Sequence, residues 1–181
     1  MKKVWKAFVN FEKEEKWLND MAERGLNFIS YSFARYTFEE GTPGEYIYRM
    51  ELLEKLPEHP ESKEYINFIE ETGAEHVDTY MRWVYFRKKR SEGPFDLYSD
   101  YDSRIKYYKK VAAFIAPLTV VNLLAAVYNL HLGLSIGNES GSYGNAYISI
   151  INWLIAFILT RMLISYIRRI RKMEKEKQLY E

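Results

Sequence analysis

Two periodicities of apolar residues alternate over the first hundred positions. Apolar side chains recur every three or four residues over 12–24 and 61–72, which predicts two helices, each followed by a glycine, Gly25 and Gly73. The segments 3–9, 26–39, 45–53 and 74–88 are rich in β-branched and aromatic residues, which predicts strands. In the segment 45–53, Tyr46, Tyr48, Met50 and Leu52 are expected on one face of a strand, and Glu45, Ile47, Arg49 and Glu51 on the other.

An internal repeat supports this division. Residues 17–40 align with residues 65–88 at a constant offset of 48, and each copy supplies a helix that ends near a glycine and then a long aromatic stretch. The predicted order is β-α-β-β-α-β. It indicates an α+β domain over 1–103 with a ferredoxin-like fold, a two-layer sandwich that carries both helices on one face of the sheet.

The last third of the chain has a different pattern. Residues 111–134 contain no Asp, Glu, Lys or Arg, and residues 147–167 contain one, Arg161. A helix rises about 1.5 Å per residue, so each run is long enough to cross the hydrocarbon core of a bilayer. We therefore predict a transmembrane hairpin over 104–181, with spans near 111–134 and 147–167.

Charge divides the chain at the same boundary and orients the hairpin. The formal net charge of +1 combines an excess of acidic residues in 1–103 with an excess of basic residues in 104–181. Lysine and arginine flank both spans on the side of the termini, whereas the connecting loop 135–146 carries only Glu139. This bias predicts a two-span protein of the cell membrane with both termini in the cytoplasm.

Arg161 has two interpretations. Its side chain can extend to the cytosolic head groups, because it lies seven residues before Arg168. Alternatively, it pairs with a polar side chain inside the membrane, for which Asn122 of the first span is the candidate.

The many aromatic residues of the predicted strands indicate a candidate surface for a protein partner or a ligand. With period two, about half of them face away from the helices. An uncovered aromatic patch on a small domain usually has a binding role, although tyrosine is also common on ordinary half-exposed sheets. The candidate surface residues are Tyr36, Tyr48, Arg49, Trp83 and Tyr85.

The residues that usually carry chemistry give no enzymatic pattern. The chain has no cysteine, and its three histidines do not have metal-ligand spacing. The adjacent glutamate pairs 14/15, 39/40 and 70/71 are read as solvated faces. We expect no catalytic residues, cofactor or metal, and no nucleic-acid partner, because the acidic domain opposes phosphate binding.

Three segments carry a resemblance to a known family. The motif WLNDMAERG at 17–25, the segment YTFEEGTPGEYIYR at 36–49 and the motif WVYFRK at 83–88 resemble the domain of unknown function 2812 (DUF2812) family. The resemblance covers most of residues 5–105. It implies a bacterial or archaeal protein that often carries C-terminal membrane spans and is encoded beside PadR-like transcription regulators. It implies no catalytic residues.

Two functions follow as expectations. The first is a membrane-anchored, non-catalytic regulatory or sensor module whose cytosolic domain binds a small ligand or a protein partner, such as a PadR-type transcription regulator. The second is an oligomeric channel or a transporter accessory subunit built from the hairpin, since two spans form a pore only as a homo-oligomer.

Overall fold

The computed structural model describes residues 1–98 and 100–180. The chain divides into two units, Met1–Ser99 and Asp100–Glu181. The first unit contains two copies of a β-α-β-β motif, so the internal repeat of the sequence is a structural duplication. The first copy comprises β1 (Lys2–Trp5), α1 (Phe11–Ala22), β2 (Leu26–Ser32) and β3 (Arg35–Glu40), and the second comprises β4 (Tyr46–Leu52), α2 (Pro60–Glu71), β5 (Glu75–Tyr80) and β6 (Trp83–Lys89).

Each copy forms its own antiparallel sheet, with the order β1-β3-β2 in the first and β4-β6-β5 in the second. The α+β class is therefore confirmed. The ferredoxin-like topology is not, because the domain has six strands in two sheets where the sequence predicted four in one. Each predicted long β segment is a hairpin. Its two-residue turn, Phe33-Ala34 in the first copy and Met81-Arg82 in the second, lacks the Asn-Gly type of signal that marks such turns.

The second sheet is covered on both faces. The predicted alternation of β4 is confirmed, since Tyr48, Met50 and Leu52 are buried on one face. The other face carries Val84 and Phe86, which pack with Ile69 of α2. The expectation that both helices cover one face is wrong, because Tyr85 on the first face contacts α1 whereas the opposite face contacts α2.

Helix α1 also covers the free edge of β4. The Asn19 side chain donates to the Tyr48 carbonyl at 3.0 Å and accepts from the Tyr48 amide at 2.9 Å. The Glu15 carboxylate accepts from the Met50 amide at 2.9 Å. An uncovered edge strand would expose such groups to pairing with other chains, so these two side chains take the place of a neighbouring strand.

The second unit consists of α3 (Tyr101–Ser140) and α4 (Gly144–Tyr180). Both are long and apolar enough to cross a membrane, and only 28% and 11% of their most apolar windows are buried, which is less than a core helix of a soluble protein would bury. Small residues occupy buried positions in both helices, where they allow close approach. These are Thr119 and Ala126 of α3, and Ser149 and Ala156 of α4.

Candidate functional site

The predicted aromatic surface lies mostly inside the first unit. Tyr36, Tyr48 and Tyr85 are each at most 2% exposed. They therefore cannot form a partner surface, and this part of the sequence prediction is wrong. The physical reason is that a second sheet and α1 cover the face that the sequence suggested was open, so aromatic residues of both sheets share one core.

Arg49 and Trp83 are the two candidate residues that remain partly exposed. The Arg49 guanidinium lies 3.6 Å from Glu15 and 3.5 Å from Asp96. The Trp83 ring stacks on Phe11 with centroids 5.5 Å apart. The contacts of Arg49 connect α1 and the segment after β6 to the second sheet, and the contact of Trp83 with Phe11 connects α1 to the same sheet. Neither side chain lies in an open anion or ligand site.

A buried carboxylate lies where the two sheets meet. Glu14 of α1 accepts hydrogen bonds from the hydroxyl of Tyr36 at 2.7 Å and from the hydroxyl of Tyr85 at 2.8 Å. Tyr36 belongs to β3 in the first sheet and Tyr85 to β6 in the second, so one carboxylate joins both sheets to α1. We call Glu14, Tyr36 and Tyr85 the Glu14 cluster, and the pKa of each of the three is raised.

Burial dominates the electrostatics of the Glu14 cluster. Desolvation raises the pKa of Glu14, and the two tyrosine hydrogen bonds oppose that rise only in part. Desolvation and the neighbouring carboxylate raise the pKa of both Tyr36 and Tyr85, so these phenols stay protonated and act as donors. The cluster therefore places a carboxyl group with a raised pKa at the junction of α1 and the two sheets.

Sequence reasoning missed this cluster because it read the adjacent glutamates as solvated. That reading is wrong for the first pair, since Glu14 is buried and Glu15 bonds to β4. The signal was present in the helical period, because position 14 lies on the same face as Phe11 and Leu18. An acidic residue on an apolar helix face indicates a buried polar partner.

We expect the stability of the first unit to fall as the pH rises above the ordinary glutamate pKa. The folded-state pKa of Glu14 lies above its unfolded value of about 4.5, so its contribution is fully present below that pH. The contribution is lost as the pH rises through the raised folded-state pKa, because the unfolded state then releases the proton more readily. Glu14→Gln should flatten this part of the profile.

The measurement is urea unfolding of the detergent-solubilised chain at a series of pH values. A Trp153→Phe background leaves Trp5, Trp17 and Trp83 as fluorophores, all in the first unit. Glu40→Gln is the control, because Glu40 is exposed. Parallel profiles for the Glu14→Gln variant and the control would contradict the assignment.

The predicted intramembrane pair is not formed. The Asn122 amide donates to the Leu118 carbonyl of its own helix at 3.0 Å. Arg161 is exposed on α4, and within residues 1–98 and 100–180 it makes no hydrogen bond with Asn122. The exposed position of Arg161 agrees with the interpretation in which its side chain extends to the head groups, and its pairing within a helix bundle stays a prediction.

Comparison with known proteins finds a match between the chain and one protein family. The sequence model of a family described as "Protein of unknown function (DUF2812)" matches residues 10–120, which is more than half of the chain. The match runs through the first unit and continues into α3, the first apolar helix. No match was found among curated proteins or solved structures.

Proposed function

The chain belongs to the DUF2812 family, as its sequence motifs suggested, and from this premise we propose that it is a membrane-anchored, non-catalytic regulatory module. In this proposal α3 and α4 anchor the chain in the cell membrane, and the duplicated α+β unit lies in the cytoplasm. There it binds a protein partner, for which a PadR-type transcription regulator is the first candidate, and releases it in response to a membrane or small-molecule cue.

The main support is the exposure of the two apolar helices. Large apolar side chains project from most of the length of α4, including Ile148, Ile151, Leu154 and Phe157. Contiguous apolar surface of this extent is stable in lipid or against another protein, and it is costly in water. The basic residues that flank the apolar windows, such as Lys110 and Arg168, support the orientation with both termini inside.

The non-catalytic assignment rests on the state of the polar groups in the first unit. The buried carboxyl group of Glu14 accepts hydrogen bonds from two tyrosine hydroxyls. In the part of the chain that the structure describes, no group of three or more His, Asp or Glu residues is arranged to hold a metal ion. These features favour a binding module over an enzyme.

Orientation and location are tested with single cysteines, since the natural chain has none. We expect Ser142→Cys, in the loop between α3 and α4, to react with an impermeant maleimide in intact cells. Ser91→Cys, on the first unit, should react only after the cells are permeabilised. The opposite labelling pattern would overturn the orientation, and extraction of the chain by alkaline carbonate would overturn membrane anchoring.

The partner is tested by affinity capture. The detergent-solubilised full chain serves as bait for a purified PadR-type transcription regulator, and an unrelated two-span membrane protein serves as the control bait. We expect the regulator to be enriched on the full chain alone. Equal recovery on both baits would remove the regulator from the proposal.

The channel alternative has weaker support. Polar contacts between the two spans, such as a pair of Arg161 and Asn122, would favour a channel, whereas the Asn122 amide donates to the Leu118 carbonyl of its own helix. Membrane helices with exposed apolar faces also suit a simple anchor. We therefore keep the anchored module as the proposed function.

A further inference from the structure

The two hairpin turns of the first unit carry large apolar side chains at equivalent positions of the repeat. Phe33 follows β2 and Met81 follows β5, and their side chains are 79% and 70% exposed. Both residues have a positive φ, 44° and 56°. Glycine and asparagine adopt this conformation readily, whereas a bulky side chain there is strained. An exposed apolar residue at a strained position, present in both copies, indicates a use for the side chain.

Both turns lie at the same end of the domain. Near the turns, the rings of Tyr31 and Tyr80 are 4.8 Å apart, and the Tyr31 amide donates to Asp78 at 2.6 Å. At the opposite end of the sheets, Arg87 lies 3.7 Å from Glu39. The strands β2 and β5 therefore run in the same direction, and their turns emerge together.

A third exposed large apolar residue extends this surface. Trp5 is 70% exposed and pairs with Arg35, directly after the first turn. We call Trp5, Phe33 and Met81 the hairpin-end patch. Cations lie beside it, because the Arg35 guanidinium is 5.8 Å from the Trp5 ring and the next residue, Lys6, is exposed. Aromatic and aliphatic tips with adjacent lysine or arginine are typical of surfaces that enter the lipid head-group region.

The chain leaves the first unit at this same end. After β6 the segment turns back along β4, where Asp96 lies 3.5 Å from Arg49 and the Tyr98 hydroxyl donates to Glu51. Glu51 pairs with Val84, which directly follows Trp83, the first residue of β6. This pair therefore lies close to the turn between β5 and β6. Helix α3 then begins at Tyr101, and ten helical residues, a rise of about 15 Å, precede the apolar run that starts at Val111.

We propose that the hairpin-end patch is a second membrane contact, in which Trp5, Phe33 and Met81 insert into the head-group region of the bilayer that α3 and α4 span. This inference rests on the proposed membrane anchoring. The short tether supplies a high effective concentration of lipid, so that three side chains suffice where an untethered domain would need a larger apolar surface. Lys6 and Arg35 meet the lipid phosphates.

The experiment uses single-cysteine variants of the full chain, Phe33→Cys and Met81→Cys, labelled with an environment-sensitive fluorophore. Phe68→Cys is the matched control, because Phe68 is an apolar residue of α2 with 59% exposure. The proteins are reconstituted in nanodiscs of phosphatidylcholine and phosphatidylglycerol that contain a lipid with a head-group-proximal nitroxide. We expect roughly threefold stronger quenching at positions 33 and 81 than at position 68.

A second variant separates insertion from folding. Phe33→Asn combined with Met81→Asn suits the positive φ of both turns, so the domain should keep its stability. A label on Trp5→Cys in this background should lose the nitroxide quenching that it shows with the natural turns. Unchanged quenching would overturn the role of the two turns.

Other results separate this inference from the anchoring on which it depends. A chain that incorporates into nanodiscs but shows equal quenching at positions 33, 68 and 81 overturns the membrane contact alone. Failure to incorporate overturns the anchoring. If positions 33 and 81 are shielded in lipid-free detergent and this shielding increases with protein concentration, the patch binds a second copy of the chain. If the shielding requires an added regulator, the patch binds a protein partner. Either of these two results overturns the inference.

Discussion

Gly133→Val should separate α3 from α4 and cause the largest loss of stability in the second unit. A Cβ atom at Gly133 would lie 2.2 Å from the backbone nitrogen of Ala146 and 2.8 Å from its Cα. The obstacle is backbone, so no side-chain rotation relieves it. Overpacking costs about 1–3 kcal/mol, which corresponds to a fall in melting temperature of roughly 2–12 °C for a chain of this size.

The measurement is thermal denaturation of the full chain in detergent, followed by the loss of its monodisperse peak in size-exclusion chromatography. Gly144→Val is the matched control, because a Cβ atom at Gly144 meets nothing within 4 Å. Equal melting temperatures for the two variants would show that the helices do not approach each other closely at Gly133.

Glu14→Ala should destabilise the first unit by roughly 3 kcal/mol, because it leaves the Tyr36 and Tyr85 hydroxyls buried without their acceptor. Adding Tyr36→Phe and Tyr85→Phe removes the orphaned hydroxyls. The triple variant should therefore lose less stability than the three separate changes predict, since residues that share one hydrogen-bond network are not additive.

This prediction is measured by urea unfolding in the Trp153→Phe background. Glu40→Ala is the control for loss of an exposed acidic residue, and we expect it to change the free energy of unfolding by less than about 0.5 kcal/mol. If Glu14→Ala matches this control, the Glu14 cluster does not join the two sheets.

The predictions for Gly133→Val and Glu14→Ala both depend on contacts between residues that the sequence pattern does not pair. The clash at Gly133 involves the single glycine of the apolar run 111–134, and nothing in that run indicates that the backbone of Ala146 lies against it. The Glu14 cluster involves three residues separated by 22 and 71 positions in sequence. Local periodicity places Glu14 on the inner face of α1, but it does not say which hydroxyls meet it.

The hairpins show why the predicted topology failed. The turns at Phe33-Ala34 and Met81-Arg82 have the backbone of a tight turn without its usual residues, so each pair of strands read as one long β segment. The same omission led to the mistaken aromatic surface. With six strands in two sheets, Tyr36, Tyr48 and Tyr85 are buried in a shared core, whereas Phe33 and Met81 at the turns are exposed.

The sequence by itself determined the features that depend on local pattern. These are the repeat at an offset of 48, the two helices of the first unit, the alternation of β4, the two long apolar helices and the family, because periodicity and run length reflect the geometry of single elements. Only the tertiary structure decided which faces are covered, that Glu14 lies between two sheets and that Phe33 and Met81 emerge together. The burial of a residue depends on which distant segments of the chain pack against it, and the sequence of a strand does not indicate which element lies opposite it in the core.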